Sequence, residues 1–229
     1  MKYLIVNGDD FGASRGINRG IMEAHQRGIL TSASLLVNRP ASNEAAALSR
    51  TAPELSVGLH VDLERHRDAP AAASPGRLRA ELREQFARFQ ALMGRAPTHL
   101  DSHHNVHRAP DALPHFLELA RTYDLPLREH SPVRYFPSFY GRWGGESHLE
   151  QISVESLARI LEREIGDGFT ELSCHPGYVD PDYPSGYTVE REAELRTLCS
   201  RRIIQTLAEQ LIQLVNYHEL AKMPAGPAR

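Results

Sequence analysis

The sequence predicts an α/β fold: a single-domain, TIM-like (β/α) barrel, irregular in outline, with about seven parallel strands. Three observations carry that prediction. Short apolar runs rich in β-branched residues alternate with longer helix-patterned segments, the signature of βα units. The chain is 229 residues long, a length that suits one α/β barrel domain. Its chemically interesting polar residues fall at the carboxyl ends of the predicted strands, the face on which barrel enzymes build their sites.

The first strand, Tyr3–Asn7, is an apolar run that stops at Asn7; Asp9-Asp10-Phe11-Gly12 follows it, and then the helix Gly16–Arg27. Ser32–Val37 and Ser56–His60 are the second and third strands, separated by the helix Ala41–Arg50. Asp68–Gly76, rich in Ala, Pro, Ser and Gly, reads as a surface loop. In the helix Leu78–Met93, residues Leu78, Leu82, Phe86, Phe89 and Met93 recur at spacings of three and four, one apolar packing stripe on a charged helix. Thr98–Asp101 and Leu125–Glu129 are the fourth and fifth strands, on either side of the helix Asp111–Tyr123. Pro132–Ser147, with Tyr135, Phe136, Phe139, Tyr140 and Trp143, is a long aromatic-rich connection of the kind that serves a site. The helix Val154–Ile165, the strand Thr170–Cys174, a helix Glu190–Glu209 broken near Cys199 and the strand Ile212–Asn216 complete the barrel. The domain is expected to span residues 1–221, with residues 222–229 a flexible tail.

Composition narrows the function classes. Twenty-six basic residues oppose twenty-nine acidic ones, a formal charge of −3, and no basic run tracks a nucleic-acid backbone, so nucleic acid is not an expected partner. The N-terminal apolar run is too short for a signal peptide and no later segment could span a bilayer, which makes the cytoplasm the expected location. Two cysteines, Cys174 and Cys199, are too few and too far apart for a disulfide framework or a thiolate zinc site. Cys174 reads as a small buried hydrophobe.

The densest chemical signal is Thr98-His99-Leu100-Asp101-Ser102-His103-His104-Asn105-Val106-His107. Imidazole and carboxylate together suit a borderline-hard divalent cation. If the stretch leaves a strand, Asp101 and His103 point to one side while Ser102 and His104 point to the other. All four histidines therefore cannot serve one ion, and further ligands must come from elsewhere.

Asp9 and Asp10 emerge at the end of the first strand, where one carboxylate can reach an ion while its neighbour accepts a proton; either one could instead cap the following helix. His60 closes the third strand. One carboxylate from the first strand with imidazoles from the third and fourth would make a three-ligand site with positions open for water and substrate. Asp101 would then accept an N–H from a ligating histidine and fix its tautomer. His175, in Cys174-His175-Pro176-Gly177-Tyr178, reads either as a hydrogen-bonded turn residue or, across the barrel mouth, as a group placed to protonate a leaving group. Arg128 reads either as a carboxylate or substrate partner or as a rim salt bridge worth under about 1 kcal/mol. His104, His107, Tyr140 and Trp143 are further candidates for substrate contact or ligand support, the aromatics by stacking on a sugar face.

Taken together, Val6-Asn7-Gly8-Asp9-Asp10-Phe11-Gly12, Leu30-Thr31-Ser32-Ala33-Ser34 with Val37-Asn38, Gly58-Leu59-His60, Pro97-Thr98-His99-Leu100-Asp101-Ser102-His103-His104 and His175-Pro176-Gly177-Tyr178 resemble the YdjC/ChbG family of carbohydrate deacetylases, which includes the HpnK-like group. The resemblance covers nearly the whole chain. It implies a barrel-like α/β fold and metal-dependent removal of an acetyl group from an N-acetylated sugar or glycoconjugate. Position by position, it implies Asp10, His60 and His103 as ligands of one divalent ion (magnesium or zinc, with manganese or cobalt as alternatives), Asp9 as the base and His175 as the acid. Two positions depart from the pattern: Gly8 stands where alanine is usual, and Asn105 where a third consecutive histidine is common. The segment after His60 is short, which implies a more open substrate pocket. Rival readings are a non-catalytic metal- and sugar-binding protein, a different metal-dependent hydrolase, a non-haem iron oxygenase and a glycosidase, the last poorly served by adjacent aspartates. A homodimer is left open.

Overall fold

The computed structural model describes residues 1–63, 75–181, 183–220 and 222. Its strands and helices follow in the order β1 (Lys2–Phe11), α1 (Arg15–Arg27), β2 (Ser32–Leu35), α2 (Ser42–Arg50), β3 (Ser56–Val61), α3 (Pro75–Met93), β4 (Leu100–Ser102) and α4 (Leu113–Thr122). The second half holds β5 (Arg134–Phe136), β6 (Arg142–Trp143), β7 (Glu146–Ser147), α5 (Val154–Arg163), β8 (Gly168–Cys174), α6 (Val189–Leu198), α7 (Arg201–Glu209), β9 (Ile212–Leu214) and α8 (Tyr217–Leu220). No helix among the described residues is long and apolar enough to cross a membrane.

The main sheet is parallel and curled, in the order β4-β3-β2-β1-β8-β5, with helices packed outside it. Strand β1 runs through its middle. One edge of β1 pairs with β8 from Lys2 to Gly8. The other edge is shared: β9 pairs with Lys2–Leu4, and β2 takes over at Asn7. The segment after α4 closes the curl by touching both ends of the sheet, bridging β4 at Leu127 and pairing with β8 at Arg134–Phe136. This is the predicted TIM-like barrel, with two corrections. The strand predicted at Leu125–Glu129 is reduced to a single bridge, because the chain turns at Glu129, whose φ is 64°. The pairing moves instead to β5, inside the aromatic connection read from sequence as loop.

The predicted helices hold with shifted ends, and the predicted break falls between α6 and α7. Ser14 caps α1 by accepting the Ile17 N–H, so the first turn is closed where the acidic loop ends. The stripe Leu78, Leu82, Phe86, Phe89 and Met93 on α3 is buried as its spacing requires. That helix begins at Pro75, so only residues 68–74 of the predicted Asp68–Gly76 loop, like residues 223–229 of the tail, lie outside the described residues.

Alternation along β1 sorts two cores. Leu4 and Val6 face the helices and join the large apolar cluster. Ile5 faces inward and packs with Val133, Val215 and Tyr217, a plug at the amino-terminal end of the barrel. Above the plug the interior is polar. Asn7 donates to Asp9 and Ser34, Ser34 donates to Asp101, and His99 stacks on Tyr217 with ring centroids 4.0 Å apart. Burial pushes the His99 imidazole down to about 4, so this histidine stays neutral. Its ring lies against Gly58 of β3, where a Cβ would stand 2.4 Å from it. Gly58→Ala should therefore cost about 1–3 kcal/mol through overpacking, read as a lower urea midpoint at unchanged slope.

Candidate active site

A cleft of about 600 Å³ opens at the carboxyl ends of the strands, lined by Asp9, Asp10, His60, His103 and His175 among others. Neighbours on a regular strand point to opposite faces, so Asp9 and Asp10 should diverge. They do not, because the register with β2 shifts between Gly8 and Phe11 and Asp10 takes a φ of 70°. Asp is one of the few non-glycine residues that enters this left-handed region readily. The irregularity turns both carboxylates into one cleft.

Asp10, His60 and His103 form a group that could hold a metal ion. His60 pairs in register with Asp101 across β3 and β4, and its Nδ1 lies 2.7 Å from Asp101 Oδ1. The carboxylate accepts that Nδ1–H, which leaves Nε2 facing Asp10 Oδ1, 3.5 Å away. His103 follows β4 and brings its Nδ1 to 3.0 Å from the same oxygen. Asp10 Oδ1 is buried, yet no donor reaches it with hydrogen-bonding geometry. A buried acceptor in that state is unusual, and facing two imidazole nitrogens it is what a cation site leaves behind. These side chains bring one carboxylate oxygen and two imidazole nitrogens close enough together that they would be able to hold one ion.

Charge points the same way. Asp9, Asp10, Asp101 and Glu171 are buried around two guanidiniums, Arg128 and Arg191, so carboxyl groups outnumber guanidiniums by two. Burial disfavours the charged form of His60, but the Asp101 and Asp10 carboxylates outweigh it and push the imidazole up to about 10. The site asks for positive charge at the point where the three side chains meet.

Arg128 occupies the barrel axis. Its guanidinium donates to both oxygens of Asp9 at 2.8 Å and to Glu171 at 2.6 and 2.9 Å, and lies 2.7 Å from Asp101. It is not a rim residue: it is 3% exposed. Against the opposing effect of burial, it holds the Asp9 carboxyl below the usual range. Arg191, on α6, donates to Asp10 Oδ2 at 2.6 Å and with the two histidines keeps Asp10 ionised despite burial.

His175 follows β8, with Nε2 4.0 Å from Asp9 Oδ2. It is boxed by Tyr140, edge-on at 5.6 Å, and by Tyr187 at 5.4 Å. Burial lowers its affinity for a proton, and Glu194 followed by Asp9 more than reverses this, leaving His175 raised.

The remaining candidates separate. His104 is exposed with φ 55°, its ring 3.9 Å from that of His103. His107 is buried and bound to Ser102 Oγ and Glu129, where it fastens the turn that carries His103. Tyr140 stands at the cleft and stacks on Tyr187. Trp143 stacks on His148 at 3.7 Å on the β6–β7 hairpin, while its neighbour Arg142 lines the cleft. A second groove, about 700 Å³ between α1 and α2, has charges paired among themselves, such as Arg27 with Glu23. Sequence reasoning missed Arg191, Glu194, Glu171 and Tyr187. Helix α6 lacks an apolar stripe, and only its docking buries Glu190, Arg191 and Glu194.

Comparisons with known proteins find relatives that match nearly the whole chain. A carbohydrate deacetylase of Geobacillus stearothermophilus is 36% identical, over 97% of this chain and 99% of its own length. A chitooligosaccharide deacetylase of Serratia marcescens is 34% identical, over 96% of this chain and 99% of its own. A solved structure from Enterococcus faecalis V583, described as a candidate cellobiose-phosphate cleavage protein, matches with a TM-score of 0.84 at 30% identity, covering 96% of this chain and 98% of that one. A family 4 acetyl xylan esterase from Clostridium thermocellum, solved with a cobalt ion, shares the fold alone, with a TM-score of 0.56 at 16% identity and coverage of 96% and 91%. The YdjC-like family model matches residues 3–209, and the chain belongs to that family.

Proposed function

We propose that this protein is a metal-dependent carbohydrate deacetylase, a hydrolase that splits the acetamide of an N-acetylated sugar into acetate and a free amine. The observation that carries the reading is the unpaired Asp10 Oδ1 facing His60 Nε2 and His103 Nδ1 inside a sugar-sized cleft. Support for the substrate class comes from the deacetylases to which the chain is similar over nearly its whole length.

Asp10, His60 and His103 would hold a divalent ion, with Asp101 setting the His60 tautomer and Arg191 orienting Asp10. Bound there, the cation acts as a Lewis acid that polarises the acetamide carbonyl and acidifies water. Oxygen and nitrogen donors together accept magnesium, zinc, manganese or cobalt. Asp9 takes the proton of the attacking water. Arg128 keeps Asp9 ionised but makes it a weak base, so it suits only water already acidified, and the two halves of the site match. His175 delivers a proton from Nε2 to the departing nitrogen. It faces Asp9 at 4.0 Å, so the accepting and donating atoms reach one acetamide.

The test is acetate release from N-acetylglucosamine oligomers. A chelator should abolish it and a single added divalent metal restore it; turnover that survives complete chelation would overturn metal dependence. Calorimetric titration should show that His60→Ala no longer binds the metal. Asp9→Asn should bind metal at near-native affinity while kcat falls by about 10²–10⁴, the usual contribution of a general base. Activity of Asp9→Asn within threefold of the native protein would remove Asp9 from that role.

A further inference from the structure

Among the described residues, Glu194 is the one buried carboxylate beside the cleft that neither forms an ion pair with a guanidinium nor faces the metal ligands. It lies on α6 with a fully buried side chain. Its two oxygens are fixed independently: Tyr187 donates its hydroxyl to Oε1, and the His175 backbone N–H donates to Oε2. The Tyr187 oxygen in turn accepts the Gly141 N–H at 3.0 Å, which ties the carboxylate to the loop before β6. The carboxylate is therefore held rigidly against the residue after β8.

His175 Nδ1 is buried and has no hydrogen-bond partner. Its nearest carboxylate atom is Glu194 Oε1, 3.8 Å away, while Nε2 on the opposite side of the ring faces Asp9 in the cleft. A bare Nδ1 would aim its lone pair at an anion from which water is excluded. A protonated Nδ1 instead aims N–H at an acceptor that a small ring rotation brings into bonding range. The groups packed on this ring are Asp9, Glu194, Tyr140 and Tyr187, with Arg191 donating to the His175 carbonyl at 3.4 Å. Among them Glu194 is the carboxylate on the Nδ1 side of the ring, while Asp9 lies on the Nε2 side.

From this geometry we propose that Glu194 is a positioning residue: it holds the proton of His175 on Nδ1 and so directs Nε2 at the leaving nitrogen of the substrate. The inference rests on the deacetylase reading for its kinetic consequence, and on the ring geometry alone for the tautomer. Tyr187 acts one step further back, as the donor that keeps Oε1 in place.

The experiment uses Glu194→Gln, nearly isosteric and still able to accept one hydrogen bond, together with His175→Gln and the double variant. With an N-acetylglucosamine oligomer as substrate, Glu194→Gln should lower kcat at least tenfold, up to the about 10²–10⁴ that a general acid supplies, with KM within twofold and metal binding unchanged. Added to His175→Gln it should cause no further loss, because both changes remove the same step. Equal losses on the native and His175→Gln backgrounds would overturn the proposal by showing that Glu194 acts without His175. Nitrogen-15 spectra of histidine-labelled protein, with the His175 signals assigned from the His175→Gln spectrum, read the tautomer without any turnover. Native protein above the His175 titration should carry the proton on Nδ1, and Glu194→Gln should shift part of it to Nε2. An unchanged tautomer in Glu194→Gln sinks the proposal even if the protein is an active deacetylase. The expected shift upholds the positioning even if no acetylated sugar is cleaved.

Discussion

Arg128 brings together carboxylates from β1, β4 and β8 at the centre of the barrel, in the segment that joins the two ends of the sheet. Removing such a cluster from water is expensive, of the order of several kcal/mol per ion, and is tolerated only when each charge is paired and hydrogen-bonded. Here the guanidinium forks onto Asp9 and onto Glu171, and Tyr217 donates to the remaining Glu171 oxygen at 2.8 Å. Burial, with the Asp101 and Asp9 charges adding to it, raises Glu171 against the pull of Arg128, and this extra donor helps keep the site satisfied. The aliphatic layers that usually fill a TIM-type barrel are thus replaced in part by ions, and the lower plug around Ile5 carries the apolar packing instead.

That choice links fold and chemistry. Asp9 is bound on one side to Arg128 and Asn7, which leaves its orientation little freedom, and Asp101 serves Arg128, Ser34 and His60 together. The group proposed to take the proton and the group that sets a ligand tautomer therefore share one cation. Preorganisation of this kind is what electrostatic catalysis requires, since the dipoles and charges are in place before any substrate arrives.

Much of this was legible in the chain. Apolar runs and helical stripes located most elements, because burial on both faces of a parallel strand leaves a continuous hydrophobic signature. The alignment of Asp9, Asp10, His60, His103 and His175 with strand ends followed from the same reading. What sequence withheld was set by irregular backbone and by distant partners. Period-two alternation cannot foresee the left-handed turn at Asp10, and the fifth strand moved because Glu129 breaks the extended path. Arg191 and Glu194 sit on a helix whose charges look solvated until α6 is docked, and Glu171 is hidden inside an apolar strand. Histidine density also misleads as a count of ligands. Of the cluster, His99 is a neutral stacking residue, His107 a fastener, and only His103 turns toward Asp10.

The shared edge of β1 has a bearing on how the molecule assembles. Lys2 pairs with Gly168 on one side and with Ile212 on the other, so the amino-terminal part of β1 waits for partners far downstream, whereas its carboxyl-terminal part meets the nearby β2. Contacts of such long range slow the search for the native topology. Tyr217, which completes the ring of donors around Glu171, arrives later still. One edge of the amino-terminal part of β1 therefore stays open until β9 is made, and the ionic interior closes only once β8 brings Glu171 to Arg128.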